Sequence, residues 1–393
     1  MNSVVNYQKK DLPAKVGKLG YGLLAAGILL FALAYAVDGA RAAFNNVVLY
    51  TFLVSIGLGS LILIAVEYVA GAVWSVPFRR IPEAMGSILY ILPVAVVPLL
   101  FKLHDLYHWT HKEAVAADHL LHGKAPYLNE PFFIGRSFFA VVIWAVFYFI
   151  IVKNSNKQDA SGDQNLTTRN IRISAVLIPI IAITLTYTAI DWLMSLEPHW
   201  FSTIFGGYYF TGSLLAAIAL CTIIIVLLNE NGYFVKGLLP DHYYSLGAFL
   251  FAFTNFWAYI AFSQFVLIWY ANLPEETFWL MMRWEGSWKY FTIFFVLIHF
   301  AIPYFGLLSR PSKQNPKRLI YMSSLILFAH YVDLFWMSMP TFNKEGFVFG
   351  WMELAAPVLI AGVVITFLNI YLKKRNFVPI GDPKLKRGME FRL

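Results

Sequence analysis

Charge is what this sequence has least of. Only 13% of its 393 residues are charged, whereas 59% are hydrophobic and 18% aromatic. Soluble domains carry roughly a quarter charged residues, so a water-soluble globule would lack the polar groups to cover its surface. The same composition excludes disorder. Cysteine is almost absent. The single one, Cys221, lies in an apolar run, so no intrachain disulfide, CxxC pair, haem-attaching CxxCH or four-cysteine iron–sulfur site can form. P-loop, dinucleotide-binding and nucleophile-triad motifs are also lacking. What remains is a basic, strongly apolar chain with 30 Lys and Arg against 22 Asp and Glu and a mean hydropathy of +0.63.

A membrane span needs about 20 mostly apolar residues. Ten runs qualify, near 17–36, 45–74, 84–103, 131–152, 171–194, 205–229, 243–270, 286–308, 317–338 and 351–372. They are too long for barrel strands, so the sequence predicts an all-α integral membrane bundle. Lys9, Lys10, Lys15 and Lys18 precede the first run, and Ala32-Leu33-Ala34 resembles a cleavage site. That run is longer than a secretory signal core, so it reads as a span.

One side of this arrangement gathers 22 of the 30 Lys and Arg residues, including Arg79, Arg80, Lys236 and the basic tail. The positive-inside rule places both termini in the cytoplasm. The net charge is thus a topology signal and gives no support to nucleic acid as a partner. On the other side, Trp192, Trp200, Trp279, Trp284, Trp288 and Trp351 read as an aromatic belt at span ends. The loops 195–204, 271–285 and 339–350 are apolar, as expected if a partner protein covers them or if they lie among lipid headgroups.

The segment from Tyr187 through Asp191 to Ser195 echoes His330 through Asp333 to Ser338. Each has an acid near a span end, then Trp, then Met-Ser and a Pro-containing aromatic loop. An offset of four spans makes the repeat parallel. The expected architecture is two four-helix bundles, about 45–194 and 205–338, with peripheral helices at 17–36 and 351–372.

Ionisable groups at membrane depth are costly and tend to face the bundle interior. Glu67 has no basic residue three or four positions away and reads as an unpaired, neutral carboxyl. His330 and Asp333 share a helix face, which suits proton transfer or quinol binding, or simply a buried pair. Asp191 beside Trp192 reads as interfacial or functional. His299 stands alone on its helix. Counted from the span ends, His299 and His330 differ by roughly 9 Å in depth, which argues against a shared haem. Glu67, Asp191, His299, His330 and Asp333 are therefore the proton-pathway candidates. The 104–130 loop holds His104, His108, His111, His119 and His122. The first three share one face if helical. Residues 111–122 read as an amphipathic interfacial helix, and a proton exit or a metal site are the alternatives.

Ten spans, cytoplasmic termini, a parallel repeat and absent cofactor motifs resemble the polysulfide-reductase/NrfD family of quinone-interacting membrane subunits. Within it, the string Asp191-Trp-Leu-Met-Ser-Leu-Glu-Pro-His-Trp-Phe-Ser-Thr-Ile-Phe-Gly206 looks most like the ActF-type subunits of alternative complex III. The resemblance implies a bacterial inner-membrane complex that oxidises quinol and reduces cytochrome c or an oxidase. It implies partners carrying iron–sulfur clusters and c-type haems on the periplasmic side, a sister NrfD-like subunit, and in some cases a terminal oxidase. Menaquinone or ubiquinone would be the quinone, and this chain would hold no covalent cofactor or metal. His104, Asp105 and Arg136 are the quinone-binding candidates under that resemblance, although it assigns the quinol pocket mainly to the sister subunit, where a histidine and a carboxylate line it, and Arg136 stands where that carboxylate is wanted. A purely structural anchor and a secondary transporter are the rival readings. The transporter reading is disfavoured because Pro179 and Pro303 break spans that do not correspond in the repeat.

Overall fold

The computed structural model describes residues 10–234 and 238–393. Lys9 and Lys236, both counted in the charge asymmetry, lie outside the described residues. Among the described residues every regular element is helical, and nine helices are long and apolar enough to cross a membrane. The chain is a multi-pass membrane protein. Its long helices are α1 (Ala14–Val37), α2 (Gly39–Ala70), the broken segment α3 (Arg80–Tyr90 with Leu92–Leu100), α4 (Glu130–Ser161), α5 (Asn165–Trp192), α6 (Phe205–Glu230), α7 (Pro240–Ala271), α8 (Trp288–Leu307), α9 (Pro316–Phe342) and α10 (Trp351–Lys373).

Local chemistry sets the boundaries. The Asp38 carboxylate accepts from the Arg41 amide at 3.0 Å and starts α2. Gly71 ends it at φ 64°, the left-handed turn that glycine adopts without strain. Asn129 and Asn315 cap α4 and α9 in the same way. The third span departs from expectation. A continuous helix over 84–103 is replaced by two pieces bent by 40°. Pro93 and Pro98 explain this, because each removes an amide donor and crowds the carbonyl four residues back.

The bundle is built around α2 and α6, which are buried over 94% and 83% of their apolar stretches, whereas α1 is buried over only 22%. At their crossing, a Cβ on Gly59 would lie 2.6 Å from that of Ala217, so glycine permits the close approach. Helices α5 and α9 also pack on α2, and α1 lies along α10. In α8 the chain widens into a π-turn at Leu297–Ala301. Pro303 lies four residues after His299, so its ring displaces the His299 carbonyl and forces the wider turn.

The aromatic belt is largely a core instead. Trp192, Trp200, Trp279 and Trp288 are all buried, and only Trp284 and Trp351 are exposed. Three of the buried indoles donate hydrogen bonds, Trp192 to Ser137, Trp200 to the Glu276 carbonyl and Trp288 to the Asn343 carbonyl. Trp200 stacks on Trp279 with centroids 4.2 Å apart. The apolar loops thus bury much of their aromatic content against this chain's own helices.

Candidate functional site

The bundle core holds three ionisable side chains together. Ligand atoms of His299, His330 and Asp333 all lie within 4.8 Å of one another, and all three residues are buried. The expected 9 Å offset in depth is therefore wrong. The reason is helix length, since α9 runs on through Met339 and Pro340 to Phe342. His330 then lies about as far from the end of α9 as His299 lies from Trp288, at the start of α8.

Asp333 accepts from the Tyr208 hydroxyl at 2.6 Å and from the Trp257 indole at 3.2 Å. No arginine or lysine forms an ion pair with it among the described residues. His330 Nε2 lies 2.9 Å from the Ser55 hydroxyl, which in turn lies 2.9 Å from Ser213 and 3.3 Å from Tyr209. Both ring nitrogens of His299 and Nδ1 of His330 are buried without a hydrogen-bond partner. The His299 ring sits 3.7 Å from the Trp257 ring. Each imidazole can carry a proton, and the carboxylate can receive one. Two histidines and one carboxylate also form a metal-ligand type. Both Asp333 oxygens and His330 Nε2 already have hydrogen-bond partners within the protein, so the carboxylate is held without a cation.

The other buried acids among the described residues are held by arginines. Glu67 is not unpaired, because Arg79 reaches it at 3.0 Å. Arg79 lies twelve residues on and returns beneath α2 after the Gly71 turn, so counting helical neighbours could not find it. Asp382 binds the same guanidinium at 2.6 Å. Arg80 beside it contacts Glu83, with which it makes a short ion pair, and Asp159 at 2.6 Å. Asp191 is neither interfacial nor free. It is buried and bound by Arg136 through two bonds, of 2.8 and 3.0 Å. Glu353 likewise meets Arg41 at 2.6 Å. From Ser55 to Glu67 the α2 backbone rises about 18 Å, and Ser60 between them bonds back to the Ile56 carbonyl. The Glu67 cluster and the Asp333 cluster are separate.

The quinone-binding candidates do not converge. His104 is exposed and its ring lies tilted against that of His111 with centroids 3.7 Å apart, and Asp105 pairs with Lys102 at 2.8 Å. Arg136 is committed to Asp191, the Tyr127 carbonyl and the Tyr127 ring. The His104–His108–His111 face is not helical, since Tyr107 and His111 are extended. Residues 111–122 are two short helices, Lys112–Ala117 and His119–Lys124, instead of one. Asp118 breaks them, capping the second and holding His199 at 2.6 Å. That bond and the amides of Leu121 and Leu120 hold the Asp118 carboxyl down at about 2.

No family model matches the chain, and no curated protein matches it. The structure adds residues that the sequence did not single out, namely Ser55, Tyr208, Tyr209, Trp257 and Arg283. Tyr208 lies just after the glycine pair Gly206-Gly207 at the start of α6, where nothing in the sequence marks its hydroxyl. Ser55 carried no signal, because serines are common in tightly packed membrane helices.

Proposed function

We propose that this chain is an NrfD-like integral membrane subunit of a quinol:cytochrome c or quinol:oxidase oxidoreductase, of the ActF type found in alternative complex III. In this reading the chain crosses a bacterial inner membrane ten times, counting broken α3, with both termini cytoplasmic. Quinol is oxidised by partner subunits that carry the iron–sulfur clusters and haems, beside a sister NrfD-like subunit. This chain moves protons through Asp333, His330 and His299. The observation that carries the reading is a buried carboxylate with no lysine or arginine partner among the described residues, beside three unpartnered imidazole nitrogens. The other buried acids among the described residues each have an arginine, and this cluster does not. A parallel repeat is favoured by two like bonds, Trp192 to Ser137 in the first half and Trp336 to Thr292 in the second. Each joins a late turn of one helix to the start of the helix before it.

The test is Asp333→Asn in the assembled complex, reconstituted in vesicles. The proton-to-electron ratio should fall while haem-bearing partners still co-purify. An unchanged ratio with full electron transfer would leave the chain as a structural anchor. That second reading is favoured by the arginine-bound Glu67 and Asp191 and by the exposed Trp284, Phe349 and Trp351, which offer partners an apolar face.

A further inference from the structure

Four buried guanidinium groups can be compared. Arg79, Arg80 and Arg136 each have a carboxylate within 3.0 Å. Arg283 has none among the described residues, although it is 1% exposed. Its three hydrogen bonds go to neutral carbonyls, Trp279 at 2.8 Å, Trp336 at 3.2 Å and Met337 at 2.7 Å. Its plane lies 3.4 Å from the Trp279 ring centroid. A guanidinium has five N–H donors, so two remain. Burial pulls it down to about 9, against a weaker upward pull from Glu197, which forms no ion pair with it. A buried cation with only neutral partners is costly.

Arg283 lines a cavity of about 850 Å³ between α7 and α8. That volume lies within the range of ligand sites. Tyr208 and Trp257 close its back wall, and both bond Asp333 behind them. The remaining lining is chiefly aromatic and aliphatic, including Phe262, Phe265 and Val296. Phe262 and nearby Trp269 are about two-thirds exposed on the helix surface, so the cavity opens sideways toward lipid.

We propose that this cavity holds an anionic phospholipid, with its phosphate on the free N–H groups of Arg283 and an acyl chain along Phe262, Phe265 and Val296. The charge decides the class. A quinone or a zwitterionic lipid could fill the apolar space, but neither brings the net negative charge that Arg283 lacks. Charge-assisted bonds to phosphate are the strong kind, and arginine suits them. A lipid seated there would also cover the Tyr208–Trp257 wall and keep bulk water from Asp333. The inference does not depend on the proton reading, because it rests on Arg283 and the cavity alone.

The experiment is native mass spectrometry of the purified full chain after exchange into phosphatidylglycerol or phosphatidylcholine of identical acyl composition. Wild type should retain at least about tenfold more phosphatidylglycerol, the scale of one charged hydrogen bond. Arg283→Gln should abolish the preference, and Lys344→Gln on an exposed neighbouring loop should leave it intact. Val296→Trp fills the cavity with Arg283 untouched, and it should also lose the lipid. Equal retention of the two lipids by wild type would overturn the proposal, as would an unchanged preference in Arg283→Gln or Val296→Trp. Stoichiometric displacement of phosphatidylglycerol by decylubiquinone would also overturn it, by making the site a quinone site.

Discussion

The Arg136–Asp191 pair offers the sharpest test of how buried charge is handled in this bundle. Asp191 has a side chain 1% exposed and Arg136 one 10% exposed. Two bonds join them, and the guanidinium also lies over the Tyr127 and Phe132 rings at 3.8 and 4.2 Å. Removing one partner from such a pair leaves an uncompensated charge and costs about 3–5 kcal/mol. Asp191→Asn keeps the volume and leaves Arg136 with one carbonyl and two ring faces. Because the arginine end is partly accessible, the cost should lie near the lower bound, about 3 kcal/mol. Arg136→Met leaves Asp191 unpaired at the more buried end, so its cost should be higher. The double variant Arg136→Met with Asp191→Leu removes both charges. It should recover most of the loss, because an apolar replacement of a whole buried pair is often near neutral. The assay is reversible unfolding in mixed micelles, run as a double-mutant cycle. Additive single-site losses, or single losses below about 1 kcal/mol, would refute the reasoning. Asp191 would then be free to act as a proton carrier.

Two further outcomes follow from other parts of the fold. Asp118 is held at about 2 by His199 and two amides, so its folded-state value lies below the ordinary one near 4. The docking of loop 104–130 on 195–204 should therefore be complete above about pH 4 and weaken as pH falls toward 2. Carbon-13 titration of the carboxyl should move back toward 4 in His199→Ala, and no movement would refute the link. On the periphery, a Cβ at Gly362 would meet the Leu24 amide nitrogen at 2.4 Å. Gly362→Val should separate α1 from α10 and raise hydrogen exchange over 14–37, with α2 and α6 still protected. Equal exchange in both proteins would show that the helix contact bears no load.

The composition alone determined that this is a helical membrane protein, because apolar runs of span length cannot satisfy their backbone in any other way. The sequence marked Asp333, His330 and His299 together with Glu67 and Asp191, since few ionisable groups occur at such depth and each stands out against its neighbours. The sequence could not say which of the acids were neutralised. Glu67, Asp191 and Asp333 all lack an arginine or lysine three or four positions away along the chain, yet arginines 12 and 55 residues away reach the first two. Asp333 alone of the three is held by Tyr208 and Trp257 in place of an arginine. The depth of His299 was misjudged for a related reason. Span ends read from hydropathy stop at the first polar or Pro-containing stretch, whereas α9 continues past it. The Trp residues at span ends were legible as aromatic, but whether an indole faces lipid or a buried hydroxyl depends on what folds over it. Hydropathy is a property of each residue, and it fixes which segments leave water. Charge pairing and cavity shape are properties of residues distant in sequence, so only the packed bundle decided which acid stays unpaired and which arginine waits for an anion.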